Sequence, residues 1–429
     1  MSSYNSNANH PSLHFIHSAK FKTAIFCALL HRPLARDEVT RNALLPGILK
    51  RGCAKYPSIQ SMRLAAEDLY GSAFDARVVK KGERQVIEFF FEAVPGQKDG
   101  NFYKGLEFMG ECLLRPLEKD GAFLPEIVDG EKENLRLGIA ARINSKAEYA
   151  RFKCLEKMCE GEPFGIPVDG YAEDLYGLTG ESLLEGWKNA LAGSVIDFFC
   201  IGNLDEAELG AKVREIFSFP RSETAAIPAG EIKAAPGGIK TIKEEADATQ
   251  GKLCMGLRCG VEPAGRRFYA LMLANEIIGG GASSRLFANI REKNSMCYSV
   301  SSNLYRFKSI MLIQSGVSSD KLEEAAGMIT EEIEKIKSGG ISQEDLDNAK
   351  TALTKKYRGL QDYPAAALDY YASQAMIGDT DSLEDAVKIL GDMSLGDVFD
   401  SLKSLAVDTV FLLAGKDQGQ EQNGKEAAQ

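Results

Sequence analysis

The sequence predicts an α+β fold made by tandem duplication of two similar sheet-plus-helices domains, and three observations carry that prediction. The chain has 429 residues, roughly three times a ~150-residue domain, so more than one core is required. Both halves end in the same order, helix, strand and then Gly202-Asn203 or Gly415-Lys416, the two glycines 213 positions apart. Both halves also carry a hairpin, turned at Gly82 and near Phe307, 225 residues apart. Two similar offsets mark a repeat rather than two unrelated domains.

In the first half, residues 13–16 and 23–30 read as short strands. Residues 36–52 have helical spacing interrupted by Pro46-Gly47, where a kink or break is expected because proline lacks the N–H donor and clashes with the preceding turn. Residues 59–70 form a helix closed by Gly71. Residues 74–79 and 84–93 alternate as the two strands of the Gly82 hairpin. Residues 102–114 place Phe102, Leu106, Met109 and Leu113 on one apolar face. Residues 131–160 are helical with a weak point at Asn144-Ser145. Thr179 caps a helix over 181–191, residues 195–201 are a buried strand, and Asp205 starts a helix reaching Phe217.

Residues 219–250 change texture, with three of the 14 prolines and little apolar periodicity, and read as a linker between domains at 1–218 and 251–416. The second half then predicts a helix over 268–278, a glycine loop, a helix over 284–293, and strands over 297–305 and 310–317. An amphipathic helix follows over 322–337, then further helices including 395–405, and a last strand over 410–414. The polar residues 417–429 read as a disordered tail.

Composition narrows the function. With 51 Lys+Arg against 61 Asp+Glu and no dense basic run, the chain has no footprint for a phosphate backbone, so a nucleic-acid partner is excluded. The longest early apolar run, residues 24–30, is far short of the ~20 that a membrane helix needs, and the first ten residues lack Lys and Arg. A cytoplasmic location is therefore expected, with no membrane partner. Nine scattered cysteines without a C-x-x-C pair suit reduced, mostly buried thiols. All four histidines, His10, His14, His17 and His31, lie in the first 31 residues. They read as surface or partly buried strand residues, and histidine-dependent chemistry elsewhere in the chain is ruled out.

The most distinctive segment is IIGGGASSRLFANIREKNSMCYSV, residues 277–300. Gly279, Gly280 and Gly281 permit backbone angles closed to other residues, and Ser283 or Ser284 can cap the next helix. The loop lacks a phosphate-loop ending, so two readings stand: a tight turn with close helix packing, or an anion cradle. Arg291 and Tyr298, a permanent cation and a phenol hydroxyl seven residues apart, suit a peptide carbonyl or developing oxyanion. An arginine favoured by the helix dipole is the competing reading. Glu331, Glu332 and Glu334 read as solvated, and Glu131 and Glu133 as first-turn residues of a helix.

That segment resembles the C-terminal-half signature of the insulinase/pitrilysin and mitochondrial-processing-peptidase family of zinc peptidases, whose arginine and tyrosine fall on Arg291 and Tyr298. EGEPFGIPVDGYAEDLYGLTGESLLEGW and RGCAKYPS are similar to family segments in the first half, and the resemblance spans residues 12–416. It implies that the duplicated fold forms half of a clam-shell chamber. It also implies substrate-binding roles for Gly279, Gly280, Gly281 and Ser284. The family's His-x-x-Glu-His motif falls on Ala43-Leu44-Leu45-Pro46-Gly47, so Ala43, Pro46 and Gly47 are degenerate, non-ligating positions. The later glutamate ligand falls near Leu137 or Gly138. The resemblance therefore implies a chain that binds no metal, paired with a His-x-x-Glu-His-bearing sister subunit that carries zinc and acting on short or unfolded peptides. A homodimer is left open for the isolated chain, as is a scaffold role like that of respiratory-complex core proteins. HRPLARDEVTRNALLP resembles, more narrowly, the non-catalytic subunits associated with elongation factor P 5-aminopentanol modification.

Overall fold

Two sheets organise the protein, and they repeat one strand order. The structure is a computed structural model describing residues 2–4, 11–69, 71–95, 101–228 and 230–415; the expected tail at 417–429 and His10 lie outside them. The six-stranded sheet runs Ser2–Tyr4, Ser12–His17, Val195–Gly202, Ala24–Pro33, Arg84–Ala93, Ala73–Lys81. Read from its other edge, the five-stranded sheet runs Lys240–Ala246, Ala406–Gly415, Gly251–Arg258, Ile310–Val317, Ser299–Tyr305. In each, one strand pair is parallel, Ser12–His17 with Val195–Gly202 and Lys240–Ala246 with Ala406–Gly415, and the corresponding remaining pairs are antiparallel.

The registers confirm the duplication residue by residue. His31 pairs with Val195 and Val86, and Arg258 pairs with Ala406 and Ile310. Arg258 thus stands in the second sheet where His31 stands in the first; Asp197 pairs with Leu29, and the corresponding Gly256 pairs with Thr409, next to Asp408 at a register shift. The match also explains the segment expected as a linker. Its end, Lys240–Ala246, is the counterpart of Ser12–His17 and forms an edge strand. Lysines and glutamates on an edge discourage further pairing, which gave this strand the polar texture of a connection.

The chain divides into two compact units that interleave in sequence, where contiguous domains were expected. The first takes Met1–Ala140, Ile166–Gly230 and Leu360–Met376; the second takes Ala141–Gly165, Glu231–Gly359 and Ile377–Gln429. The helix Lys146–Met158 belongs to the second unit because Ala150, Cys154, Leu155 and Met158 are buried with Cys254, Ile310, Leu312 and Phe411. The helix Pro364–Met376 belongs to the first: Lys81 pairs with Asp369 at 2.7 Å, and Arg84 donates to the Met376 carbonyl at 3.3 Å. In the first unit Phe26, Ala28 and Leu30 share a core with Phe89, Phe91, Leu106 and Trp187.

Local signals place most helices. The break at Asn144-Ser145 separates helices Pro125–Ala141 and Lys146–Met158. Thr179 caps Gly180–Gly193 in a reciprocal box with Ser182. Thr179→Ala is expected to cost about 1 kcal/mol in chemical denaturation. Of the kink or break expected at Pro46, the break does not occur: the helix Val39–Leu49 runs through it. Proline removes only one donor, and this helix buries Val39, Leu44, Leu45, Ile48 and Leu49, so tertiary packing outweighs the local penalty. All nine cysteines are buried.

Candidate functional site

In the second unit the signature segment follows the helix Arg266–Gly279. A Cβ on Gly279 would lie 2.7 Å from the Ser302 Oγ and 2.8 Å from its backbone N, and one on Gly280 would lie 2.4 Å from Glu276 Oε2. Glycine is required there by close approach to the strand Ser299–Tyr305 and to the helix's own last turn. Gly281 is exposed. The expected serine cap is not formed: the Ser284 hydroxyl is buried without a hydrogen bond, and the following turn starts without a side-chain cap.

Where an ordinary helix was expected, Phe287–Lys293 is a π-helical turn, a local widening that recurs at functional sites. It carries Arg291 on an exposed position, with the guanidinium 4.5 Å from the centre of the Phe287 ring. Tyr298 lies just before the strand Ser299–Tyr305 and is 67% exposed, anchored by its backbone N–H to the Gly316 carbonyl at 2.9 Å. Arg291 and Tyr298 are therefore both exposed and are held by different contacts. Between them, burial pushes the Cys297 thiol pKa up.

Glu332 overturns its sequence reading. It is buried rather than solvated, and its Oε1 accepts from Asn289 Nδ2 at 2.7 Å and from Arg285 Nε at 3.3 Å. The helix Leu322–Lys337 thus grips the π-helical turn from behind.

In the first unit, Ala43, Gly47 and Arg51 follow one another at four-residue spacing along the helix Val39–Leu49 and just beyond its end. A Cβ on Gly47 would lie 2.3 Å from Glu131 Oε2, so this carboxylate reaches the position of the absent second imidazole. Its Oε1 accepts from Arg51 Nε at 2.6 Å and from Asn134 Nδ2 at 3.2 Å. The carboxylate beside this helix is thus Glu131; of the positions where the later glutamate ligand was expected to be missing, Leu137 is 50% exposed and Gly138 has nothing near its Cβ position. Glu131 also sits mid-helix, since the helix begins at Pro125. Motif spacing gave no signal for it.

These residues do not fit zinc. A structural or catalytic site needs three or four N, S or O ligands converging on one point, whereas Ala43, Pro46 and Gly47 offer no side-chain ligand atom and the carboxylate beside Gly47 is already paired with a guanidinium. Among the described residues no group of three His, Cys, Asp or Glu could hold a metal ion. Metal analysis of the purified chain after dialysis is expected to find zinc well below one equivalent; a stoichiometric content would contradict this reading.

His14, in Ser12–His17, and His31, in Ala24–Pro33, have a structural use, and His31 is more deeply buried than the sequence reading expected. His14 Nε2 lies 3.0 Å from Asp197 Oδ1 and His31 Nε2 lies 3.1 Å from Oδ2, with His31 fully buried. Burial pushes the Asp197 carboxyl pKa up, but the two histidines outweigh it and hold it well below the usual carboxylate range. Among the described residues no helix is long and apolar enough to cross a membrane.

The fold and the missing His-x-x-Glu-His side chains place this protein beside peptidase-like chains whose motif helix offers no imidazole. Residues 177–353 match the family described as the Peptidase M16 inactive domain. Over 409 residues the chain is 28% identical to a probable inactive metalloprotease, YmfF, of Bacillus subtilis, covering 94% of this chain and 95% of that one. A conserved protein of Enterococcus faecalis has the same fold, with a TM-score of 0.89 at 24% identity over 97% of this chain and 99% of that one. A peptidase M16 inactive domain from Pseudomonas fluorescens follows at 0.81 and 17%, over 96% and 98%. The chain is thus similar to M16-type peptidase inactive domains over residues 177–353 and to a probable inactive metalloprotease along most of its length, in line with the resemblance of the signature segment.

Proposed function

We propose that this chain is the zinc-free subunit of a heterodimeric endopeptidase, contributing Arg291 and Tyr298 to a peptide carbonyl held in the partner's active site. The observation that carries the reading is the division of the two half-sites. An Arg51–Glu131 ion pair lies beside the helix Val39–Leu49, which itself offers no ligand, while Arg291 and Tyr298 remain exposed. A guanidinium and a phenol hydroxyl can both donate to a carbonyl oxygen, and such donors act most strongly as charge develops on that oxygen. The partner, a His-x-x-Glu-His sister chain, would supply the hydrolytic chemistry; the substrates would be short or unfolded peptides.

The test is reconstitution. The purified chain, a His-x-x-Glu-His sister from the same genome, and their mixture are assayed with a pool of internally quenched fluorescent peptides. Cleavage confined to the mixture, or strongly raised in it, supports the proposal. Cleavage by the sister alone at the same rate as the mixture, or cleavage by this chain alone, defeats it. Stable association without any change in rate would favour a scaffold instead.

A further inference from the structure

We propose that Phe287 is a positioning residue for Arg291, acting from a turn whose backbone is fixed by buried Glu332. This deepens the function proposed above and rests on it for its kinetic consequence. Arginine has many rotamers, and an exposed guanidinium loses conformational entropy each time it is brought to one geometry. Among the described residues no carboxylate pairs with Arg291. Its recorded restraint is the Phe287 ring, 4.5 Å from the guanidinium carbon and four residues back along the same π-helical turn. A ring face attracts a cation without consuming any N–H, so all five donors stay available to a carbonyl. A carboxylate partner would hold the side chain more tightly but would occupy those donors and cancel the charge.

The stack can position Arg291 only if the turn itself is fixed, and side chains on its opposite face meet that condition. Arg285 and Asn289 both donate to Glu332 Oε1, and Arg285 Nη1 also lies 3.5 Å from Asp345 Oδ2. Asn294 Nδ2 donates to the Asn289 carbonyl at 2.6 Å, and the Met296 N–H donates to the Ile290 carbonyl at 3.0 Å, closing the exit of the turn. The neighbouring arginine, Arg285, is thus used as an anchor, while Arg291 is left with its charge free.

The experiment compares wild type, Phe287→Leu and Phe287→Tyr. Phenylglyoxal modification of each arginine is followed by peptide mass spectrometry on the isolated chain. In Phe287→Leu, Arg291 is expected to react roughly two- to five-fold faster than in wild type, with Arg285 unchanged as the control for folding; Phe287→Tyr restores the wild-type rate. In the reconstituted pair, Phe287→Leu lowers kcat by a similar factor with KM nearly constant, and Phe287→Tyr restores it. Equal Arg291 reactivity in wild type and Phe287→Leu overturns the positioning role. If Arg291→Ala leaves peptide turnover unchanged, the carbonyl-binding function fails, while a rise in Arg291 reactivity in Phe287→Leu would still establish the stack. If Arg291→Ala abolishes turnover and Phe287→Leu alters neither reactivity nor kcat, the positioning role alone fails.

Discussion

Tyr298→Phe and Arg291→Ala in the reconstituted pair are each expected to lower peptide turnover by about a hundred- to a thousand-fold, the effect of deleting one donor from a developing oxyanion. Tyr298→Phe removes one oxygen from a side chain that is 67% exposed, so no packing is lost and folding should be unaffected. Assembly should also persist, because a single exposed hydroxyl contributes little to a large interface. The informative measurement is therefore kcat alongside subunit affinity. A fall in kcat with unchanged affinity assigns Tyr298 to the reacting carbonyl. Equal turnover removes that role, and lost affinity with normal saturated turnover makes the tyrosine an interface residue. Arg291→Lys sharpens the result, since a lysine keeps the charge but loses the planar fork.

The parts of this site that could be read from sequence are those encoded within one short segment. The signature from Gly279 to Tyr298 is contiguous, so its glycines, arginine and tyrosine announced themselves together, although the widened turn and the missing Ser284 cap did not. The degenerate motif was equally local, because Ala43, Pro46 and Gly47 lack donor atoms whatever surrounds them. What escaped depends on distant partners. Glu131 meets Arg51 across 80 residues, and Asn289 meets Glu332 across 43. Glu332 looks solvated and Glu131 looks like a first-turn residue until the distant partner of each is known. The strand Lys240–Ala246 was hidden by its edge position, and the interleaving of the units by the fact that helix Lys146–Met158 buries its apolar face against strands far along the chain. Periodicity reports that a face is apolar but not which sheet will cover it.

The contrast between His31 and Arg258 leads to the second large expectation: Glu162→Ala is predicted to destabilise the second unit by about 3–5 kcal/mol. At the first-sheet position an imidazole faces Asp197; at the equivalent second-sheet position a permanently charged guanidinium is buried and must be balanced. Arg258 Nη2 meets Glu162 Oε1 at 2.6 Å and its Nε meets Asp408 Oδ2 at 3.0 Å, while Lys308 Nζ meets Glu162 Oε2 at 2.7 Å. Two buried cations are thus matched by two buried carboxylates, and Glu162 serves both cations. Removing it leaves Arg258 with Asp408 and the Met158 carbonyl and Lys308 with the Glu231 carbonyl, whereas removing the exposed Lys188 from its pair with Glu118 should leave the unfolding transition unmoved. The pH dependence identifies the cause. Burial pushes the Glu162 carboxyl pKa up, but the bonds from Arg258 and Lys308 outweigh it and hold the pKa below its ordinary value. Such a group contributes stability above the unfolded-state value of ~4.3 and loses that contribution as pH falls through the lower folded value. The difference between wild type and Glu162→Ala, followed by denaturant unfolding and by hydrogen exchange in Gly251–Arg258, should be largest near neutrality and shrink in acid. A difference independent of pH would mean that the lost side-chain volume, rather than the uncompensated charge, destabilises the unit.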